Sequence, residues 1–237
     1  MIKTIFNILA PRYCAGCSKI GEMICKNCAD KSQKQGASCV FCNQRNGTGK
    51  ICAKCFGANE DRPIDRILWV GEYKNALKNA VWELKYKKRK ELAKPLAKLI
   101  FKKFTEFYPK YKLENFIITP IPMREKKENK RGYNQAKLLA NEFGKISGIT
   151  VLNLIQKNKE TITQVETKTK EERMKNLENA FSVNIDLSDP SKVWVNKTII
   201  IIDDVATTGA TFLHAASALK KEGFDKIICL ALAHGYG

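Results

Sequence analysis

Two groups of residues in this sequence have the types and spacing that chemistry requires. The first is the acidic pair Asp203-Asp204, which directly follows the four isoleucines Ile199 to Ile202 in TIIIIDDVATTGAT. Carboxylates only accept hydrogen bonds, so the vicinal hydroxyls of a sugar are natural partners for an adjacent pair. Ala206 to Ala210 then offers small residues, the Thr207 and Thr208 hydroxyls and Gly209, and Thr211 opens an apolar-periodic stretch reaching Leu219. Backbone amides at such a helix start can hold a phosphate with no lysine in the loop. A helix-capping turn with Thr211 as N-cap is the plainer reading, but capping alone calls for neither two acids nor two threonines.

The second group is eight cysteines in four CxxC pairs, Cys14/Cys17, Cys25/Cys28, Cys39/Cys42 and Cys52/Cys55. One tight turn puts two thiolates on a tetrahedral ion and a second turn completes it, so eight ligands make two zinc sites. Gaps of seven, ten and nine residues between pairs favour neighbours sharing a metal, with an interleaved cross-brace as the alternative. A closed four-cysteine site has no open coordination position, which makes both ions structural. The CxxC pattern points to metal in a reducing cytoplasm rather than to a disulfide framework. Cys229 stands apart, inside the apolar run IICLALA, where it reads as a buried strand residue.

An α/β architecture would position the first group. Ile199 to Ile202 suit a strand buried on both faces of a parallel sheet, and the two aspartates are expected to end it at the edge where open α/β sheets bind ligands. Ile227 to Ala233 reads as the next parallel strand, and Pro63 to Tyr73, centred on Ile67 to Val70, as the first. Helices are predicted over residues 75–90, from Ala76, Leu77, Ala80, Val81 and Leu84, and over 91–108. Phe116 to Met123 is a strand broken by prolines, so Pro122, Met123 and Arg124 form a second anion loop facing the aspartates. Arg131-Gly132-Tyr133-Asn134-Gln135 is expected to start a helix that continues through Leu138, Leu139 and Phe143.

With 237 residues, 44% of them hydrophobic, the chain can fill one α/β core and carry a small appended module. The expected division is 1–60 for the cysteine module, which has too little apolar material for a core of its own, and 61–237 for the rest. No apolar run approaches the roughly 18 to 20 residues of a transmembrane helix. Ile2, Ile5, Phe6 and Leu9 fall at helical spacing, so Met1 to Ala10 reads as a helix rather than a secretory leader. The 42 basic and 24 acidic residues give a formal charge of +18, which favours a polyanionic partner, nucleic acid being the commonest. Lysine-rich solvated helix faces are the bland explanation of that charge. The densest run is Lys85, Lys87, Lys88, Arg89 and Lys90, with Tyr86 inside it; it can close a helix favourably or contact phosphates and bases. His214 reads as a surface or packing residue.

The stretch at Thr198 resembles the phosphoribosyl diphosphate (PRPP) loop of type I phosphoribosyltransferases, an apolar strand, two acids, then TTG and a closing threonine. That resemblance implies a mostly parallel sheet flanked by helices. It implies that Asp203 and Asp204 are the catalytic pair holding ribose hydroxyls and Mg, and that Ala206, Thr207, Thr208, Gly209 and Thr211 hold the 5-phosphate. Pyrophosphate would meet Pro122, Met123 and Arg124, with Arg131 as a helper. The doubled zinc ribbon, PxP with basic residues after it, RGYNQ and DDVATTGAT together are similar to the ComF family of bacterial competence proteins. Thr163-Gln164, Arg173, Asn176 and Ala180-Phe181 resemble that family's hood segment, although Thr167 stands where an apolar residue is usual. Membership would imply cytoplasmic action in DNA uptake during natural transformation, binding of single-stranded DNA and of PRPP, and a competence helicase or other DNA-processing protein as a partner. A conventional salvage or biosynthetic phosphoribosyltransferase, and a regulatory module that binds PRPP without transfer, are the other readings.

Overall fold

The computed structural model describes residues 12–33, 37–42, 44, 46–56, 63–158, 180–184 and 196–235. Met1 to Ala10, Thr163, Gln164, Thr167, Arg173 and Asn176 lie outside the described residues.

Four strands form one parallel sheet: β1 (Arg66–Glu72), β2 (Phe116–Pro120), β5 (Thr198–Ala206) and β6 (Lys226–His234), in the order β1-β6-β5-β2. The isoleucine strand is central, and Ile199 to Ile202 are fully buried. Alternation along it feeds two cores. Ile200 and Ile202 join Leu68, Ile118 and Leu230 on one face, while Ile199 and Ile201 join Ile67, Ile117 and Cys229 on the other. Parallel strands covered on both sides require such unbroken apolar runs.

The first face is covered by α3 (Asn75–Tyr86), α4 (Ala93–Phe107) and α6 (Gln135–Ser147), through Leu77, Val81, Leu84, Leu96, Phe104 and Phe143. The second is covered by α7 (Ala210–Lys221), through Phe212, Leu213, Ala216 and Leu219, together with the antiparallel pair β3 (Ile155–Lys157) and β4 (Phe181–Val183). Short helices α1 (Lys26–Ser32) and α2 (Ala53–Phe56) belong to the cysteine module, and α5 (Glu125–Arg131) follows β2. Among the described residues no helix is long and apolar enough to cross a membrane.

Three expected boundaries differ. The strand does not stop at the aspartates: β5 remains paired with β6 through Asp203↔Ala231, Val205↔Ala233 and Ala206↔His234, because only its other neighbour, β2, ends at Pro120↔Ile202. The helix expected over 75–90 ends at Tyr86, and Lys88 takes a left-handed φ of 56° before a 3₁₀ turn at Lys90–Leu92. Arg131 to Gln135 does not start one helix. Gly132, at φ 83°, caps α5, and Asn134 begins α6 by accepting from the amides of Ala136 at 2.9 Å and Lys137 at 3.4 Å.

The cysteine module shares the sheet's cores. Ala15 and Ala37 pack into the first and Cys39, Val40 and Ile51 into the second, so its few apolar residues are used against the sheet.

Candidate functional site

β5 outruns β2 by the length of the acidic segment, and the gap so opened lies at the carboxyl ends of the strands, where α/β sheets bind ligands. Asp204 is buried at 3% exposure and ion-pairs with the Lys85 ammonium from α3. Burial alone would lower the pKa of Lys85, but Asp204, its hydrogen bond and Asp203 outweigh this and raise it. Asp203 is half-buried, and its Oδ1 accepts from the Asp204 amide at 2.8 Å. Desolvation and the neighbouring Asp204 charge push the Asp203 carboxyl well above the usual range. The pair therefore favours a bound cation, a shared proton or hydroxyl donors.

The turn after it is shaped by Gly209, whose φ of 74° is left-handed and whose missing Cβ would lie 2.9 Å from the Val40 side chain. Only glycine satisfies both conditions. α7 starts at Ala210, one residue before the expected position, with Gly209 as its N-cap; Thr208 Oγ1 accepts from the Ala210 amide at 3.4 Å. Thr207 is exposed, while Thr208 and Thr211 are half-buried beside these amides. Positions 206–210 thus place two hydroxyls and a helix start directly after the acids in the chain.

Pro122, Met123 and Arg124 run from β2 to α5 and line a cleft of about 500 Å³. Asn134 fixes this loop by donating from Nδ2 to the Ile121 carbonyl at 2.9 Å. The cleft's far wall comes from Asn153 and from Gln156, Lys157 and Asn158 in and after β3. Burial and the positive charges of Arg124 and Lys127 lower the Lys157 pKa against the opposing pull of Asp203, and Arg124 and Lys157 line the same cleft. Arg131 is not among the residues lining this cleft. Its guanidinium hydrogen-bonds Gln135 and lies 5.5 Å from the Tyr86 ring centroid.

The basic run divides. Lys85 turns inward to Asp204, and Arg89 is held by Glu83, by Glu91 and by the Tyr13 carbonyl at 3.0 Å. Lys87, Lys88 and Lys90 are exposed, Lys87 lying 5.3 Å from the Trp82 ring and Lys90 4.8 Å from that of Tyr133. The helix ends at Tyr86, and Lys87 and the left-handed Lys88 lie beyond it, so the run is not one helical face.

Two cysteine clusters form, Cys14, Cys17, Cys25, Cys28 and Cys39, Cys42, Cys52, Cys55, the sulfurs of each within 4.8 Å of one another. Neighbouring pairs share a site, and the cross-brace is excluded. The Cys17–Cys25 and Cys42–Cys52 sulfurs lie 3.8 and 3.6 Å apart; a tetrahedral ion with Zn–S bonds of about 2.3 Å needs about 3.8 Å. Burial raises the Cys14 and Cys39 thiols, but backbone amides aimed at each sulfur outweigh it and bring both to about 7. Thiolates so stabilised fit a structural zinc. Cys229 is buried in β6, and desolvation raises its thiol well above the ordinary value.

Sequence reasoning missed Lys157 and the true partner of Lys85. Neither carries a motif, and only the spatial meeting of β3, α3 and β5 reveals them.

Residues 86–235 match the model of the phosphoribosyl transferase domain. The chain is similar to Competence protein F of Haemophilus influenzae, 26% identical over 93% of this chain and 95% of the relative. It is 29% identical to Competence protein ComFC of Bacillus subtilis over 86% of this chain and 81% of that protein. DNA utilization protein YhgH of Escherichia coli is 24% identical, over 84% and 85% of the two chains.

Proposed function

Because this chain belongs to the phosphoribosyl transferase domain family, we propose that it binds PRPP at the tip of β5 and acts on single-stranded DNA in ComF-type DNA uptake. One observation carries the PRPP part: where β5 outruns β2, the Asp203-Asp204 pair, with Lys85 on Asp204, runs into an amide-rich glycine turn, and Arg124 and Lys157 line the cleft that follows β2. Asp203 and Asp204 would take the ribose hydroxyls, both acting on Mg through those hydroxyls or bound water. Ala206, Thr207, Thr208, Gly209 and Thr211 take the 5-phosphate. Arg124, with Pro122 and Met123, takes pyrophosphate, and Lys157 joins it. Mg supplies charge neutralisation of the diphosphate when bound. The two cysteine clusters hold structural zinc, and residues 1–60 and 61–237 act as module and main domain in one cytoplasmic protein.

The DNA part is supported by the formal charge of +18 and by relatives named for competence and DNA utilization. Calorimetric titration with PRPP and Mg tests the sugar-phosphate site: wild type binds and Asp204→Asn does not. Survival of binding in Asp204→Asn rejects the assignment of the acidic pair.

A second reading, a conventional transferase, is favoured by the cleft beside Arg124, whose roughly 500 Å³ and amide lining at Asn153, Gln156 and Asn158 suit a planar acceptor. Pyrophosphate release with a panel of nucleobases tests it, and silence across the panel leaves PRPP binding without transfer.

A further inference from the structure

Helix α3 has two faces of opposite character. Ala76, Leu77, Ala80, Val81 and Leu84 are buried against the sheet. Trp82 and Tyr86, four residues apart and hence neighbours on one side of the helix, are 46% and 62% exposed. Their rings stand 6.0 Å apart at 48°. Each lies beside a cation: Lys87 Nζ is 5.3 Å from the Trp82 centroid, and Arg131 Cζ is 5.5 Å from that of Tyr86. Arg131 is itself held by Gln135. Two large aromatic bodies kept in water, next to positive charge, gain nothing for the core; they suit a ligand that alternates flat π faces with negative charge.

We infer that Trp82 and Tyr86 form a base-stacking platform for single-stranded nucleic acid, with Lys87, Lys88 and Arg131 meeting the phosphates on either side. This rests on the DNA-binding reading above and assigns it a surface. A duplex fits poorly, because its bases are already stacked, whereas every unpaired base offers a π face. Location adds to the argument. Lys85, between the two aromatics in sequence, ends on Asp204, so the platform lies on the same helix that supplies the cation of the sugar-phosphate site.

Stacking and charge respond differently to salt, which makes the two contributions separable. Anisotropy of a labelled oligothymidylate, measured across a salt series on the full chain, should show Trp82→Ala/Tyr86→Ala binding roughly ten- to a hundredfold more weakly, with an unchanged salt slope. Trp82→Phe/Tyr86→Phe should retain most of the affinity. Lys87→Gln/Lys88→Gln should instead flatten the slope, by about 0.7 for each phosphate no longer neutralised. In wild type, unlabelled oligonucleotide should quench tryptophan fluorescence, and Trp82→Phe should remove most of that quenching while still binding. Thermal melting of each variant checks that the fold persists, and the phenylalanine pair keeps the test decisive if the alanine pair misfolds.

Tight wild-type binding that the aromatic variants leave within twofold overturns the platform and leaves the DNA reading standing. So does equal affinity for a duplex. No wild-type binding to any single strand at low salt overturns the DNA reading and the platform together.

Discussion

Each cysteine cluster begins with a buried sulfur held by backbone amides, Cys14 in one and Cys39 in the other, yet the two press on different machinery. The first clamps α3 at both ends. Its Cys14 and Cys28 pack on Ala76, where a Cβ on Gly16 would lie 2.6 Å from the Ala76 methyl, and Tyr13 receives the Arg89 guanidinium 4.0 Å from its ring centroid. The second buttresses the turn before α7. Val40, inside its first CxxC, closes on Gly209, and the Val40 carbonyl meets His234 Nε2 at 3.3 Å, a histidine stacked on Trp69 at 4.6 Å. Two similar cysteine clusters thus support two separate parts of the domain, α3 and the turn before α7, and the Lys85–Asp204 ion pair joins α3 to β5. Two clusters with the same ligand set can therefore support different elements of one domain.

The sharpest way to break this comparison is to remove one ion at a time. Cys14→Ser/Cys17→Ser and Cys39→Ser/Cys42→Ser should each lower the bound zinc from two ions to one. Structural zinc is worth roughly 10–16 kcal/mol in isolated fingers, so both variants should melt far below wild type. Below their melting temperatures the second pair should lose PRPP binding and the first should lose DNA affinity while keeping PRPP. Identical ligand losses in both variants would mean that the clusters share one role.

Next in size is Lys85→Gln, which severs the link between α3 and β5. Asp204 would keep a carboxylate at 3% exposure with its cationic partner removed. Breaking a buried pair from one side costs about 3 kcal/mol, read as a lower urea midpoint at an unchanged slope. Gly209→Ala comes third, at about 2 kcal/mol for a left-handed residue meeting Val40. Its PRPP affinity should recover in part with Val40→Ala, and a double-mutant cycle showing no coupling would separate the cluster from the turn.

Smallest, and opposite in sign, is Asp203→Asn. The folded-state pKa of Asp203 is raised, so the folded chain holds this proton more tightly than the unfolded one. Stability from this group is then present at pH below the ordinary aspartate value and falls as pH climbs to the raised one. The asparagine variant should melt above wild type at pH 7, each kcal/mol recovered giving roughly 2–4 °C, with no difference at pH 3. PRPP binding should be lost at both.

Much of this was legible beforehand because its causes are local. Four isoleucines demand burial on both faces, CxxC spacing favours neighbouring pairs in one cluster, and the glycine of DDVATTGAT marks a turn before a helix. What escaped depends on meetings between distant segments. The extension of β5 past its aspartates is set by where β6 ends. Gly132 looks like part of a helix start until its left-handed φ divides α5 from α6. Five basic residues read as one patch, but Asp204 and Glu83, remote or a turn away, draw two of them off. The cysteine module seemed short of apolar material because Ala15, Ala37, Val40 and Ile51 lack periodicity, and their burial partner is the sheet.

The strand order β1-β6-β5-β2 also dictates a schedule of assembly. β6, spanning Lys226–His234, is synthesised after every other described strand and yet lies between β1 and β5. As the polypeptide leaves the ribosome, β1 has no described strand beside it until residue 234 has emerged, and non-local parallel pairing of this kind is slow and exposed to aggregation. Both cysteine clusters are complete by residue 55. Metal capture can therefore precede sheet closure, giving the nascent chain an ordered, charged head while its apolar middle waits for the last strand.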